Sequence, residues 1–281
     1  MKNSVKLLAL AVGVLFISCN EKKEAKKTEK VKIERNEPKE VKYTFQKAGE
    51  WFKTDGSNTK ALDLVLALNR VDETNLKKLD SIIVPTDISG DIAFYMPFPT
   101  EIATLDEVNK VILFSYATQA FATYENGNLT HVGPTSMGRE KDKTPTGLFF
   151  TNWKAEETTS TFNDEWDLKW NFNIENKLGV GFHEYALPGY PASHSCLRLL
   201  EKDAKILYEF ADQWVLENDQ KVKLKGTPVI VFGSFDFEQQ KPWNALKENP
   251  KALSMSEADL ETVIAPHLQS ILTEQAKREN K

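Results

Sequence analysis

Cysteine is nearly absent. Two residues, Cys19 and Cys196, in 281 leave no room for a disulfide framework. The four histidines show no Cys-x-x-Cys or His-Glu-x-x-His spacing, so the usual zinc-binding patterns are missing. Long apolar runs are also scarce: the one candidate, Leu7 to Ile17, is too short for a comfortable membrane span. Positive charge is in deficit as well. The net charge is -5, and setting aside the basic first 42 residues leaves about -10 for Tyr43 to Lys281. So acidic a globule lacks the basic face that nucleic acid requires. With 41% hydrophobic residues and 16 Phe, the chain has material for a sizeable core, which excludes a wholly disordered protein.

The beginning of the chain is organised for export. Lys2 and Lys6 precede the apolar run, which closes on Ser18-Cys19, the order of a secretory signal. It resembles the bacterial lipoprotein type, with Phe16 three residues before the cysteine, and this implies cleavage leaving Cys19 as a lipidated N-terminus at 1-19. From Glu21 to Lys42, nine Lys or Arg and six Glu with few large apolar residues predict a disordered, charged tether at 20-42.

The folded part is expected to start at Tyr43. Ala61, Leu62, Val65, Leu66 and Leu68 mark a helix over 58-69, a second short helix follows at 74-79, and Ser81 to Pro85 reads as a strand. These form a small N-terminal accessory subdomain, 43-105, expected to serve packing rather than wall binding. The stretch Val111 to Tyr124, the Glu125-Asn126-Gly127-Asn128 turn and Leu129 to Ser136 predict a hairpin, with a further strand over 148-153. Lys154 to Lys177, which holds Trp166 and Trp170, has no clear period and is expected to be a long loop. A strand over 179-183, an amphipathic helix over 201-215 and strands at 222-224 and 228-232 complete a domain at 106-235. A C-terminal extension, 236-281, is expected to carry a helix with a Ser256/Asp259 capping box, interrupted at Pro266. The expected class is mainly β within α+β: a sandwich or barrel with a helical N-terminal subdomain and a C-terminal helix.

Chemistry concentrates between His183 and Arg198, where a cysteine and two histidines meet: His183, His194 and Cys196. A thiol is nucleophilic as thiolate, and its ordinary pKa of about 8.5 calls for an imidazole or backbone amides to assist deprotonation. The combination of Thr144-Pro145-Thr146-Gly147, His183 and Ser193-His194-Ser195-Cys196-Leu197-Arg198 resembles the L,D-transpeptidase catalytic domain, the YkuD domain, whose pattern is a histidine, a spacer and Ser-His-Gly-Cys. Ser195 stands where the family has Gly, and the spacing from His183 to Ser193 is short.

The resemblance implies a cysteine acyltransferase of the cell wall. Cys196 would attack a peptidoglycan stem peptide to form a thioester, His183 would act as base and then acid, and the Glu184 backbone carbonyl would orient His183. The amides of Ser195 and Cys196 would hold the oxyanion. Transfer to an amine would form a cross-link; hydrolysis, an L,D-carboxypeptidase activity, is the alternative outcome of the same thioester. Ser193 and His194 are read as flanking the nucleophile, His194 as a structural hydrogen-bonder, and Arg198 as either a carboxylate-binding fork or a loop pin. Ser136, Gly138 and Thr144 are read as turn and packing positions, and His131 and His267 are assigned nothing.

Two rival classes stand beside this reading. A zinc site would use His183, His194 and Cys196, and a catalytically silent wall-binding lipoprotein would make no use of Cys196. The favoured reading calls for no metal and no cofactor. It expects a monomer held at the membrane by its N-terminal lipid, exported to the periplasm, with the outer membrane favoured by Asn20 after Cys19.

Overall fold

The computed structural model describes residues 33–159, 167–219, 221–238 and 241–280. The signal, Cys19 and the tether up to residue 32 lie outside them. Residues 35–42, expected to be part of a disordered tether, are instead tied to the folded body. Asn36 N–H donates to Asp91 Oδ2 at 3.0 Å, Asp91 N–H returns a bond to the Asn36 carbonyl at 2.8 Å, and Lys39 N–H donates to Asp87 Oδ2 at 2.8 Å. A polar segment with no core of its own is ordered here because another segment supplies its backbone partners.

Strand β1 (Tyr43–Lys47) pairs antiparallel with β2 (Ser81–Pro85), and between them run the helices α1 (Ala48–Thr54), α2 (Thr59–Asn69) and α3 (Glu73–Leu76). Side chains start the latter two: the Asn58 side chain accepts from Ala61 N–H and that of Asp72 from Asn75 N–H. Ala48, Trp51, Val65, Leu76 and Ile82 form their buried core, which also takes in Leu187 and Leu200 from far along the chain.

Two sheets follow. The first is built from β3 (Val111–Ser115), β4 (Ala120–Glu125), β5 (Asn128–Pro134), β6 (Gly147–Phe150) and a strand that arrives last. The second contains β7 (Lys154–Thr159), β8 (Asp167–Glu175), β9 (Val180–Glu184) and β10 (Leu197–Leu199). Helix α4 (Glu201–Phe210), the small hairpin β11 (Val215–Asn218) and β12 (Lys221–Leu224), then β13 (Pro228–Phe232) and α5 (Glu257–Glu279) complete the chain. The first sheet has the order β5-β4-β3-β13-β6, with β13 parallel to β3; the second has β10-β9-β8-β7, with β10 parallel to β9. Alternation along β3 serves two cores. Ile112 and Phe114 pack with Phe172 and Phe182 of the second sheet and Leu207 of α4, while Val111 and Leu113 pack with Leu260, Ile264 and Ile271 of α5. The fold is α+β, with mixed sheets, a helix directly after β10 and a C-terminal helix.

Three elements differ from the sequence reading. Lys154 to Lys177, expected to be a long loop, contains β7 and β8 paired antiparallel. β7 is an edge strand of mostly polar residues, none of them buried, and β8 is irregular at Trp170 (φ 53°), so neither shows the alternation that identifies a strand. The helix expected over 201–215 stops at Phe210, because Val215 enters the β11–β12 hairpin. Helix α5 runs unbroken through Pro266. That proline is exposed, so the carbonyl one turn earlier, deprived of its N–H partner, can be hydrated while Ile264 and Ile271 hold the buried side.

Candidate active site

Strand β9 is short and carries His183 one residue before its end, and β10 starts immediately after Cys196. Their parallel register sets Arg198 opposite His183 and Leu197 opposite Phe182. Continued by one residue it sets Cys196 beside Gly181, and because paired positions share a face, Cys196, Arg198 and His183 lie on one side of the sheet. A side chain at Gly181 would come within 2.6 Å of the Phe172 carbonyl of β8, so the cysteine's neighbour has to be glycine.

His183 is buried, 4% exposed, and its Nδ1 lies 2.8 Å from the Glu184 carbonyl. A carbonyl only accepts, so Nδ1 carries the proton and Nε2 is the basic nitrogen. Burial brings the His183 pKa down to about 4, opposed by the Glu184 bond and reinforced by the Arg198 charge. The imidazole is therefore neutral near pH 7, as a proton acceptor must be. The Cys196 thiol donates to the Gly179 carbonyl at 3.7 Å. Its pKa is pushed up by the atoms packed around the sulfur, with the Gly181 N–H and Arg198 pulling the other way. The sequence suggested a thiol assisted towards the anion; burial outweighs that assistance, and the resting pair is a neutral thiol and a neutral imidazole.

Ser195 has φ 80°, in the left-handed region where its family position has Gly. Thr144 Oγ1 donates to the Ser195 carbonyl at 2.9 Å and accepts from Gly138 N–H at 2.8 Å, and Ser193 Oγ donates to the Cys196 carbonyl. Ser193 is further fixed through its N–H to the Met137 carbonyl and its own carbonyl to Arg139 N–H, both 3.0 Å. Thr144, read as a packing position, thus shapes the turn before Cys196 directly. His194 does not point to a role as base: its Nε2 meets the Arg139 guanidinium, which also pairs with Asp142. Arg198 has both of the expected roles within reach. Its backbone exchanges two 3.1 Å bonds with Ser136, while its guanidinium lies over the Tyr185 ring at 4.5 Å and makes no salt bridge among the described residues. Among those residues, no three His, Cys, Asp or Glu are grouped to hold a metal ion. His131, assigned nothing from sequence, has Nε2 2.9 Å from Asp203 Oδ1 in the first turn of α4.

The sequence reading missed Gly179, whose carbonyl receives the thiol, and Asp72, whose carboxylate accepts Leu187 N–H at 2.8 Å from the loop joining β9 to Cys196. Gly179 could have been suspected from its place just ahead of the His183 strand. Asp72 could not, since it is 115 residues from its partner.

The family model of the L,D-transpeptidase catalytic domain, YkuD, matches residues 109–231, from just before β3 to the end of β13 and including His183 and Cys196. The match covers less than half of the chain. Similar solved structures include an L,D-transpeptidase from Stackebrandtia nassauensis, 24% identical over 45% of this chain and 57% of that one, with TM-score 0.38. One from Mycobacterium tuberculosis H37Rv is 22% identical over 45% and 58%, TM-score 0.36. Another, from Mycobacterium smegmatis, is 20% identical over 45% and 59%, TM-score 0.35. The chain therefore spans less than two thirds of the length of each of them. No curated protein matches it.

Proposed function

We propose that this protein is a peptidoglycan L,D-transpeptidase in which Cys196 carries the acyl group. The observation that supports it most is the β9–β10 register, which sets a neutral His183, its Nδ1 proton held by the Glu184 carbonyl, on the same face as Cys196. As the sulfur attacks the carbonyl carbon between the L and D centres of a stem peptide, the thiol proton passes to His183 Nε2 and a C–S bond forms. The C–N bond then breaks, and the leaving amine takes that proton. A second amine attacks the thioester, its proton returns through His183 to the sulfur, and one amide has been exchanged for another with no change of oxidation state.

The amides of Ser195 and Cys196 act on the oxyanion. Donors of this kind are worth about 3 to 4 kcal/mol each, and the left-handed Ser195 supplies the local backbone reversal that lets successive N–H groups converge. Arg198 binds a substrate carboxylate. Cys19 is lipidated, and the enzyme works as a monomer in the periplasm, tethered to a membrane, preferentially the outer one. No helix among the described residues is long and apolar enough to cross a membrane.

Incubating the full-length protein with a stem tetrapeptide and an acceptor amine tests this by product mass. A joined peptide absent from Cys196→Ala supports transpeptidation. Free tripeptide alone would replace it with the hydrolase, and no product from either protein would remove catalysis altogether.

A further inference from the structure

The loop from Tyr185 to Ala192, which connects the histidine strand to the cysteine turn, is held by a part of the chain that the matched segment 109–231 does not include. Leu187 is fully buried in the helical core with Trp51, Val65 and Leu76. Next to it, Pro188 forms a β-bridge with Val71, and a Cβ on Gly189 (φ 83°) would meet the Val71 side chain at 2.9 Å. The corner between α2 and α3 closes around this tip. Asp72 N–H donates to the Leu187 carbonyl at 3.0 Å, Asp72 Oδ2 accepts Leu187 N–H at 2.8 Å, and Asn75 Nδ2 donates both to Asp72 Oδ2 at 2.7 Å and to the Leu187 carbonyl at 3.2 Å. Only Tyr185 and Ala186 separate this clamp from Glu184, whose carbonyl orients His183. At the other end, the Tyr190 carbonyl accepts from Ser136 Oγ, which also receives Ala192 N–H.

We propose that Asp72 is a positioning residue for the His183–Cys196 pair: through Leu187 it fixes the Glu184 carbonyl, so that the corner at 71–75 orients the pair rather than belonging to an appended module. The inference rests on the functional reading of that pair. A carboxylate is required because two loop and helix donors converge on Oδ2 while Oδ1 separately caps α3 through Asn75 N–H at 2.8 Å. Serine is a competent cap but too short to do both.

The test compares wild type, Asp72→Ser and the cap-swap control Asn58→Ser in the full-length chain. Two readouts are followed: the pH profile of Cys196 alkylation by iodoacetamide, resolved by peptide mapping, and acylation by a stem tetrapeptide. With the clamp lost, the thiol becomes better hydrated, so the Asp72→Ser alkylation midpoint falls towards that of an ordinary thiol. Acylation slows at least tenfold with KM little changed, and Asn58→Ser matches wild type in both. A folded Asp72→Ser with wild-type alkylation profile and acylation rate overturns the proposal. If Asp72→Ser fails to fold, Asn75→Ala, which removes only the two side-chain bonds to the clamp, should shift the profile in the same direction, and an unshifted profile overturns it equally. If wild-type Cys196 is never acylated, the transpeptidase reading fails, and the alkylation profile alone still decides whether the clamp acts on the pair.

Discussion

Replacing Ser195 by Gly should stabilise this protein, although glycine usually does the opposite. The left-handed backbone at Ser195 (φ 80°) brings Cβ against its own carbonyl, a conflict worth about 1 to 2 kcal/mol in L-residues. Glycine removes that conflict but adds unfolded-state freedom worth about 0.5 to 1 kcal/mol. The balance is a gain of up to about 1.5 kcal/mol, or a rise of up to about 6 °C in Tm for a domain of this size. Ser195→Ala retains Cβ and should stay within about 0.5 kcal/mol of wild type. Ser195→Val, branched at Cβ, should lose at least about 1 kcal/mol. The order Gly, then Ser with Ala, then Val can be read from urea midpoints at constant m-value. Because the Ser195 carbonyl is held by Thr144 Oγ1, the glycine variant should keep the turn and alkylate at Cys196 at close to the wild-type rate. A glycine variant no more stable than the alanine one would refute the argument that this position is strained.

Three further outcomes follow from the same geometry. The His183 pKa of about 4 lies below the ordinary 6.5, so between those values the unfolded chain binds the proton and the folded one does not. Stability should therefore decline as pH falls from about 6.5 to about 4, with His183 responsible for up to roughly 3 kcal/mol. In His183→Gln the difference in unfolding free energy between pH 7 and pH 4.5 should shrink accordingly, and an unchanged difference would contradict the neutral buried imidazole. Cys196, its pKa raised, should alkylate ever faster beyond pH 9, whereas a plateau reached near neutrality would indicate a preformed thiolate–imidazolium pair. Gly181→Ala forces Cβ to within 2.6 Å of the Phe172 carbonyl and should cost about 1 to 3 kcal/mol by parting β8 from β9, measurable by denaturant titration.

Much of this site was legible because its parts are close in sequence or carry local signals. His183 lies on β9, and Cys196, thirteen residues on, immediately precedes the strand that pairs with it. The Glu125–Asn128 turn and the Ser256/Asp259 capping box announce themselves in a few residues. What failed were features set by distant partners. The Ser195 conformation depends on Thr144, 51 residues earlier, and the Asp203 partner of His131 is 72 residues away. Residues 35–42 look like solvated tether until Asp87 and Asp91 take up their backbone amides. β7 gains no apolar face from its edge position, and α5 tolerates Pro266 because that turn faces solvent. Local pattern records what an element needs from its own residues, and these elements draw on others.

The most direct test of the account is the mass of the Cys196 peptide after brief exposure of the full-length protein to a stem tetrapeptide, quenched in acid and mapped for wild type and His183→Gln. The account predicts an increment equal to the mass of the stem tetrapeptide less that of the free D-amino acid released, on Cys196 alone, labile to hydroxylamine and formed much more slowly in His183→Gln. An unmodified Cys196 after prolonged exposure, or an adduct forming equally fast without His183, would contradict it.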